Sequence, residues 1–278
     1  MDFTKRKLPP EVAPYLRLCP IESVAPYSLM VAPIYIHLAK NFKYLAVKAP
    51  LDYFTQDELA HYKPYKSFFV PPNADASLRF RDAGRQIRAL LHWEPVQAPG
   101  EPVRLPPAPF EISDAVLRIL GPLFGGNGQV EAFFVAVLAN EICDPLPPSA
   151  ISAGRESGVL RFESAICRSA WFVVLAVLLG NFELRYLSQS RRAVFDLGMG
   201  QVPEADALGP EVQELVSLVS ELKIDSGESK VSRDWFEAQG TILGRKLAAR
   251  IQRSITELAD PEFEQPSVRG EGGFIDVG

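Results

Sequence analysis

An α+β fold is predicted for this chain: a small α+β module at the amino-terminal end, then a mainly α-helical bundle. Three observations predict it. Residues 31–72 are rich in β-branched and aromatic types, six prolines crowd into residues 94–109, and residues 110–260 carry helix start and stop signals. The expected organisation is a module over 1–93, a proline-rich linker over 94–109, a helical domain over 110–260 and a loose tail over 261–278.

In the module, Ile34-Tyr35-Ile36-His37-Leu38 and Tyr44-Leu45-Ala46-Val47-Lys48 read as two strands joined by a turn around Asn41. A short helix over 55–62 follows. Thr55 stands at its N-cap with Glu58 three residues on, the spacing of a capping box. Ser67-Phe68-Phe69-Val70 reads as a third strand before Pro71-Pro72, and residues 77–93 as a helix that packs back or connects.

Prolines 95, 99, 102, 106, 107 and 109 remove backbone donors and fix φ, so a semi-rigid extended spacer is expected. Beyond it the text reads as six helices. Ser113 caps one that stops at Gly121-Pro122, and 129–143 forms a second, ended by Asp144-Pro145. Residues 155–180 form a long third helix, apolar on every face from Ala170 to Leu179, as a buried bundle axis would be. A fourth covers 182–197, a fifth runs from Pro210 to about 223, and a sixth is capped by Ser232 and runs to about 259.

Composition bounds the function classes. The 278 residues carry a net charge of −5 and are 47% apolar, which gives no global basic face for nucleic acid. Cys19, Cys143 and Cys167 are odd in number and form no C-x-x-C pair, so neither a disulfide framework nor a zinc-thiolate site is expected. The start, MDFTKRKLPPEV, has basic residues without a following apolar stretch, unlike a secretory signal. The longest apolar run, 170–179, is well short of the roughly 20 residues that cross a bilayer. A cytoplasmic protein without membrane insertion is expected.

Two segments carry a likeness. Arg168-Ser169-Ala170-Trp171-Phe172-Val173-Val174-Leu175-Ala176-Val177-Leu178-Leu179-Gly180 is followed by Ser190-Arg191-Arg192-Ala193-Val194-Phe195-Asp196-Leu197-Gly198-Met199. Together they resemble the heart of the HD superfamily, in particular the HD-GYP cyclic-di-GMP phosphodiesterases and their HDOD relatives. In that family a His-Ser pair opens a helix ending in Leu-Ala-x-x-Leu-Gly, and the next helix ends in His-Asp-Ile-Gly. The stretches 35–38, 48–54 and Glu58-Leu59 resemble a small domain fused ahead of such modules.

The resemblance implies a lost site. Family members hold metal ions through the first His and the His-Asp pair, because neutral imidazole binds transition metals and the metal yields a hydroxide nucleophile. Here Arg168 and Phe195 stand at the histidine positions, and only Asp196 is retained. A guanidinium stays cationic and a phenyl ring offers no lone pair. His37, His61 and His92 all precede the spacer, and no Gly-Tyr-Pro motif follows. Asp260 matches the family's later Ala-Asp ligand only faintly. No catalytic residue, metal or cofactor is expected, and Arg168, Phe195 and Asp196 are vestigial positions.

Each sharper reading has a plainer rival. Arg168 could pair with Asp196 in place of the metal, or be a solvated helix residue. Arg245, Lys246, Arg250 and Arg253 form a basic stripe which, with Arg191-Arg192, suits phosphates; it also suits the wet face of a helix. Gly125-Gly126-Asn127-Gly128 lacks the Lys-Ser/Thr of a phosphate loop and reads as a turn. Trp171 and Phe172 read as core, and no Gly-x-Ser-x-Gly elbow occurs. The expected function is a non-catalytic regulatory or scaffold protein that binds a protein partner or a second copy of itself. The alternatives are a cyclic-dinucleotide receptor without hydrolysis and a residual metal-dependent phosphodiesterase.

Overall fold

The computed structural model describes residues 13–30, 32–41, 43–71, 74–92, 108–124, 130–156, 158–202, 210–222, 224–225, 228–229 and 233–259. The amino-terminal module is a four-stranded antiparallel sheet of β1 (Arg17–Pro20), β2 (Ile34–Leu38), β3 (Lys43–Lys48) and β4 (Ser67–Val70), in the order β1-β4-β2-β3. The strand at 34–38 and the one at 67–70 fall where the β-branched and aromatic residues placed them. β1 went unanticipated, since Arg-Leu-Cys-Pro holds no β-branched or aromatic residue. Its proline is tolerated because β1 is an edge strand.

One face of this sheet carries Ile34, Ile36 and Phe68, which pack with Phe54 and Leu59. Leu59 belongs to α1 (Gln56–Tyr62), and the Thr55 capping box forms as its spacing predicts. Thr55 Oγ1 accepts from the Glu58 amide at 3.1 Å, and Glu58 Oε2 accepts from the Thr55 amide at 2.8 Å. The same carboxylate takes Lys48 Nζ at 2.8 and 3.0 Å. This lets a lysine be buried on β3, with its ammonium also 5.0 Å from the Phe54 ring centroid.

The helices are α2 (Ala74–Leu91), α3 (Pro109–Phe124), α4 (Ala132–Ile142), α5 (Pro148–Glu156), α6 (Val159–Leu178), α7 (Leu184–Gly198), α8 (Pro210–Ser220), α9 (Arg233–Ala238) and α10 (Ile242–Ala259). Residues 170–178 of α6 are buried on all sides, as the unbroken apolar run requires. Packed with them are Leu117 and Leu120 of α3, Leu138 and Ile142 of α4, Leu187 of α7, Leu215 and Val219 of α8, and Leu247 and Ile251 of α10. Leu29, Leu51 and Tyr53 join the same buried cluster, and the Tyr53 ring meets Phe162 of α6 edge-on, with centroids 6.3 Å apart. Likewise α2 lies on α4, with Phe80 stacked on Phe134 at 4.5 Å.

Four sequence expectations are corrected. Ser113 does not start a helix: α3 begins at Pro109, which the spacer had included, and passes through Gly121-Pro122 to Phe124. A proline at the first helical position needs no donor, and Glu111 Oε2 accepts the Ala108 amide at 2.8 Å. The segment at 129–143 becomes helical only from Ala132. Before it β5 (Val130–Glu131) pairs with β7 (Glu228–Ser229), which also pairs with β6 (Ile224–Asp225), so the region is not wholly helical.

The helix expected at 155–180 is instead α5 and α6, separated at Gly158, whose φ of 122° no ordinary side chain favours. The final helix is divided in the same way at Gly240 (φ 66°) into α9 and α10. Thr241 recaps the second piece, its Oγ1 accepting from the Gly244 amide at 2.9 Å. The spacer residues 94–107, the turn 125–128, Ser232, Asp260 and the tail 261–278 lie outside the described residues.

Candidate functional site

On α7, Leu187, Ser190, Arg191, Val194 and Phe195 are buried, at the i, i+3, i+4, i+7, i+8 spacing of a helix with one face on a core. Phe195 is 1% exposed, and its ring stands perpendicular to Phe162 of α6 with centroids 6.1 Å apart. Gly154 of α5 lies over both rings. A Cβ there would meet Phe162 Cδ2 at 2.7 Å and Phe195 Cζ at 3.1 Å, so the pair fills its space without room for another group.

Asp196, the next residue, points off the core. Both of its oxygens receive the Nε of Arg192, at 2.7 and 2.9 Å, four residues back on the same helix. The pairing of Arg168 with Asp196, one of the two readings the resemblance left open, is not made: the carboxylate is held by Arg192. Neighbours at i and i+4 meet without any tertiary positioning, which gives the local partner the advantage. Arg168 is half-buried on α6, and its Nε is buried with no hydrogen-bond partner among the described residues. A hydrocarbon ring, a guanidinium and a carboxylate already held by an arginine do not make a donor set for a metal pair. Among the described residues no three His, Cys, Asp or Glu side chains gather as a metal ion would require.

Arg191 has a different role, which the sequence did not reveal. It is wholly buried and faces no carboxylate in its hydrogen-bond set. Its guanidinium donates to the Ala139 carbonyl at 3.4 Å, to the Asp144 carbonyl at 3.3 Å, and to Asn140 Oδ1. These acceptors lie at the carboxyl end of α4, where the helix dipole is negative, and the Ala139 carbonyl is shared with the Cys143 amide at 3.0 Å. Burial draws the Arg191 pKa down to about 10, so it stays charged at neutral pH. Burial also pushes the neighbouring Cys143 thiol up to about 11, against the opposing pull of the Arg191 charge. Arg88 of α2 binds this helix end from the other side, through the Ile142 carbonyl at 3.3 Å and Asp144 Oδ1 at 2.9 Å.

The basic stripe of α10 separates into two parts. Lys246, Arg250 and Arg253, at i, i+4 and i+7, line a cleft of about 540 Å³ with Leu179 and Ala249, while Arg245 stands exposed outside its lining. Arg250 donates to Ser113 Oγ at 2.8 Å and Arg253 to Asp114 Oδ1 at 2.8 Å, so α3 fixes two of the three cations. Ser113, expected as a helix cap, serves here as an anchor. Lys246 and Leu179 also border a second cavity of about 270 Å³, lined further by Phe172, Asn181, Glu214, Leu215 and Leu243.

Around the far end of the α6–α7 pair, apolar side chains face outward: Leu160 is 72% exposed, Leu197 38% and Val202 95%. There α7 touches α6 through glycine, since a Cβ on Gly198 would lie 2.8 Å from Ala165 Cβ, and Arg161 Nε donates to the Gly198 carbonyl at 3.3 Å. His37 is distant from these groups in the fold. It lies on the sheet face opposite Ile36, its ring 4.9 Å from Tyr44 and 6.1 Å from Phe69.

Together these features define a protein built from a small antiparallel α+β module joined to a helical bundle, in which no described helix is long and apolar enough to cross a membrane. Comparison with protein-family models, curated proteins and solved structures finds no match to this chain.

Proposed function

We propose that this chain is a regulatory, non-catalytic protein of the cytoplasm that works by binding a protein partner or a second copy of itself. The proposal extends the resemblance of residues 168–180 and 190–199 to HD-type cyclic-di-GMP phosphodiesterases, and places the chain in a bacterial signalling pathway of that kind. The observation that carries it is Phe195, whose ring is packed into the core against Phe162 at the position where the resemblance calls for a metal-binding imidazole. Leu160, Leu197 and Val202, exposed around the adjoining helix ends, supply apolar surface of the sort a partner covers.

Two measurements test this. Hydrolysis of cyclic-di-GMP is assayed with manganese and with ferrous iron, and no turnover above background is expected; turnover would return the chain to the metal-dependent phosphodiesterases. Sedimentation of the wild-type chain and of a Leu160→Ser, Val202→Ser variant is compared across concentration. A self-associating wild type and a monomeric variant support the homodimer form of the reading.

A second reading, retention of a cyclic dinucleotide without hydrolysis, draws on the cations of α10. Calorimetry with cyclic-di-GMP decides it.

A further inference from the structure

The two cavities beside α10 differ in chemistry and share a wall. The larger is bordered by Lys246, Arg250 and Arg253 and, among the described residues, by no carboxylate; Asp114 pairs with Arg253 from α3, so the charges of Lys246 and Arg250 set its electrostatic demand for an anion. Arg250 and Arg253 are held by Ser113 and Asp114 and present the same geometry without reordering, which lowers the entropic cost of binding. Lys246 is exposed, with no hydrogen bond or ion pair among the described residues, and stands at the junction of both cavities.

The smaller cavity is of another kind. Phe172, Leu215 and Leu243 give it apolar walls, and Asn181 and Glu214 supply one amide and one carboxylate. A carboxylate here would repel a second phosphate, while it can accept from the N–H groups of a base or amide. Both volumes fall in the range of small-molecule sites or just below it.

We infer that this is a binding cleft for a small phosphate monoester of the nucleoside monophosphate class: the phosphate on Lys246 and Arg250, the planar uncharged group in the cavity walled by Phe172, Leu215 and Leu243. One cationic cavity and one apolar-walled cavity with a single acceptor carboxylate match a ligand with one phosphate and one base. They do not match a cyclic dinucleotide, whose two phosphates lie between two bases. The inference stands apart from the regulatory reading, since it concerns α10 and not the Phe195 region, and loss of either leaves the other intact.

Calorimetry on the full chain with guanosine 5′-monophosphate, guanosine and inorganic phosphate tests it. The monophosphate is expected to bind about tenfold or more tighter than either fragment, as linking two modest sites predicts. Lys246→Glu is expected to weaken it by about tenfold or more, while Arg245→Glu, the same charge change on the same helix outside the cleft, leaves it within about twofold. Leu243→Trp, which fills the smaller cavity, should reduce the monophosphate to the affinity of inorganic phosphate. Lys246→Ala serves as the milder variant, and unchanged melting curves confirm that each variant is folded.

The inference is overturned by no heat from any of the three probes at millimolar concentration, by equal loss in the Lys246 and Arg245 variants, or by tighter binding of cyclic-di-GMP than of the monophosphate.

Discussion

The Nε of Arg192 lies 2.7 and 2.9 Å from the two carboxylate oxygens of Asp196, one helical turn along α7. The pair is half-buried, and it assigns to a neighbour on the same helix a carboxylate that the resemblance would have matched with Arg168 on another. The stability effects of the two arginines should therefore differ. Arg192→Ala is expected to cost about 0.5–1 kcal/mol, the range of a helical i,i+4 pair with some burial. Arg168→Met should be neutral or stabilising, because it keeps the apolar stem and removes a buried Nε that has no partner. Urea midpoints at constant slope measure both. A larger loss in the Arg168 variant would restore that residue as the partner of a buried acceptor.

Phe195 and Phe162 fill the space beneath Gly154. Phe195→Ala should cost about 3–5 kcal/mol, the range for emptying a buried aromatic site. Phe195→His replaces the ring with an imidazole whose polar nitrogens have no partner in an apolar site, so it too should destabilise. Added zinc or manganese should not recover the loss. Metal-dependent recovery of the melting temperature would show that ligands stand ready around that position.

The contact of α7 with α6 depends on the missing side chain at Gly198. Gly198→Ala puts a methyl group 2.8 Å from Ala165 Cβ and is expected to cost about 1–3 kcal/mol by overpacking. The gain in helix propensity, about 1 kcal/mol, offsets only part of this. Ala165→Gly in the same chain should recover most of the packing loss. A double variant no better than the sum of its singles would place the strain elsewhere.

Glu163 of α6 introduces a pH dependence. Burial raises its carboxyl above the usual range, and the Asp52 carboxylate across the module boundary adds to the rise. A folded-state pKa above the unfolded one means that the native state holds the proton more tightly. The stability this gives is complete below the unfolded pKa and is lost as pH rises through the folded one. Glu163→Gln keeps the neutral form at every pH. Its melting temperature should exceed that of the wild type at pH 7, and the difference should shrink towards about pH 4, where the native carboxyl is itself protonated. A difference that does not change with pH would remove the electrostatic cause.

Much of this architecture is readable along the chain because its causes are local. β-branched and aromatic residues mark Ile34–Leu38 and Ser67–Val70, the Thr55/Glu58 spacing marks a capping box, and the unbroken apolar run at 170–179 marks a bundle axis. The Arg192–Asp196 pair was legible too, since i,i+4 spacing is a sequence feature, although the resemblance drew attention to Arg168 instead. Local text also contained the breaks at Gly158 and Gly240. A single glycine within a helical pattern is ambiguous until the backbone shows a positive φ.

What the sequence determined by itself was the class of fold, a small α+β module before a helical bundle, and the side chains at 168 and 195, a fixed cation and a bare ring. Tertiary structure decided which groups meet. It buried Arg191 on the carbonyls at the end of α4, set Ser113 and Asp114 of α3 against Arg250 and Arg253 of α10, and joined a cationic cavity to an apolar-walled one at Lys246. The physical reason is one of range. Periodicity and caps act over a few residues, whereas a guanidinium finds its acceptors across more than a hundred, and only the packed chain brings them within hydrogen-bonding distance.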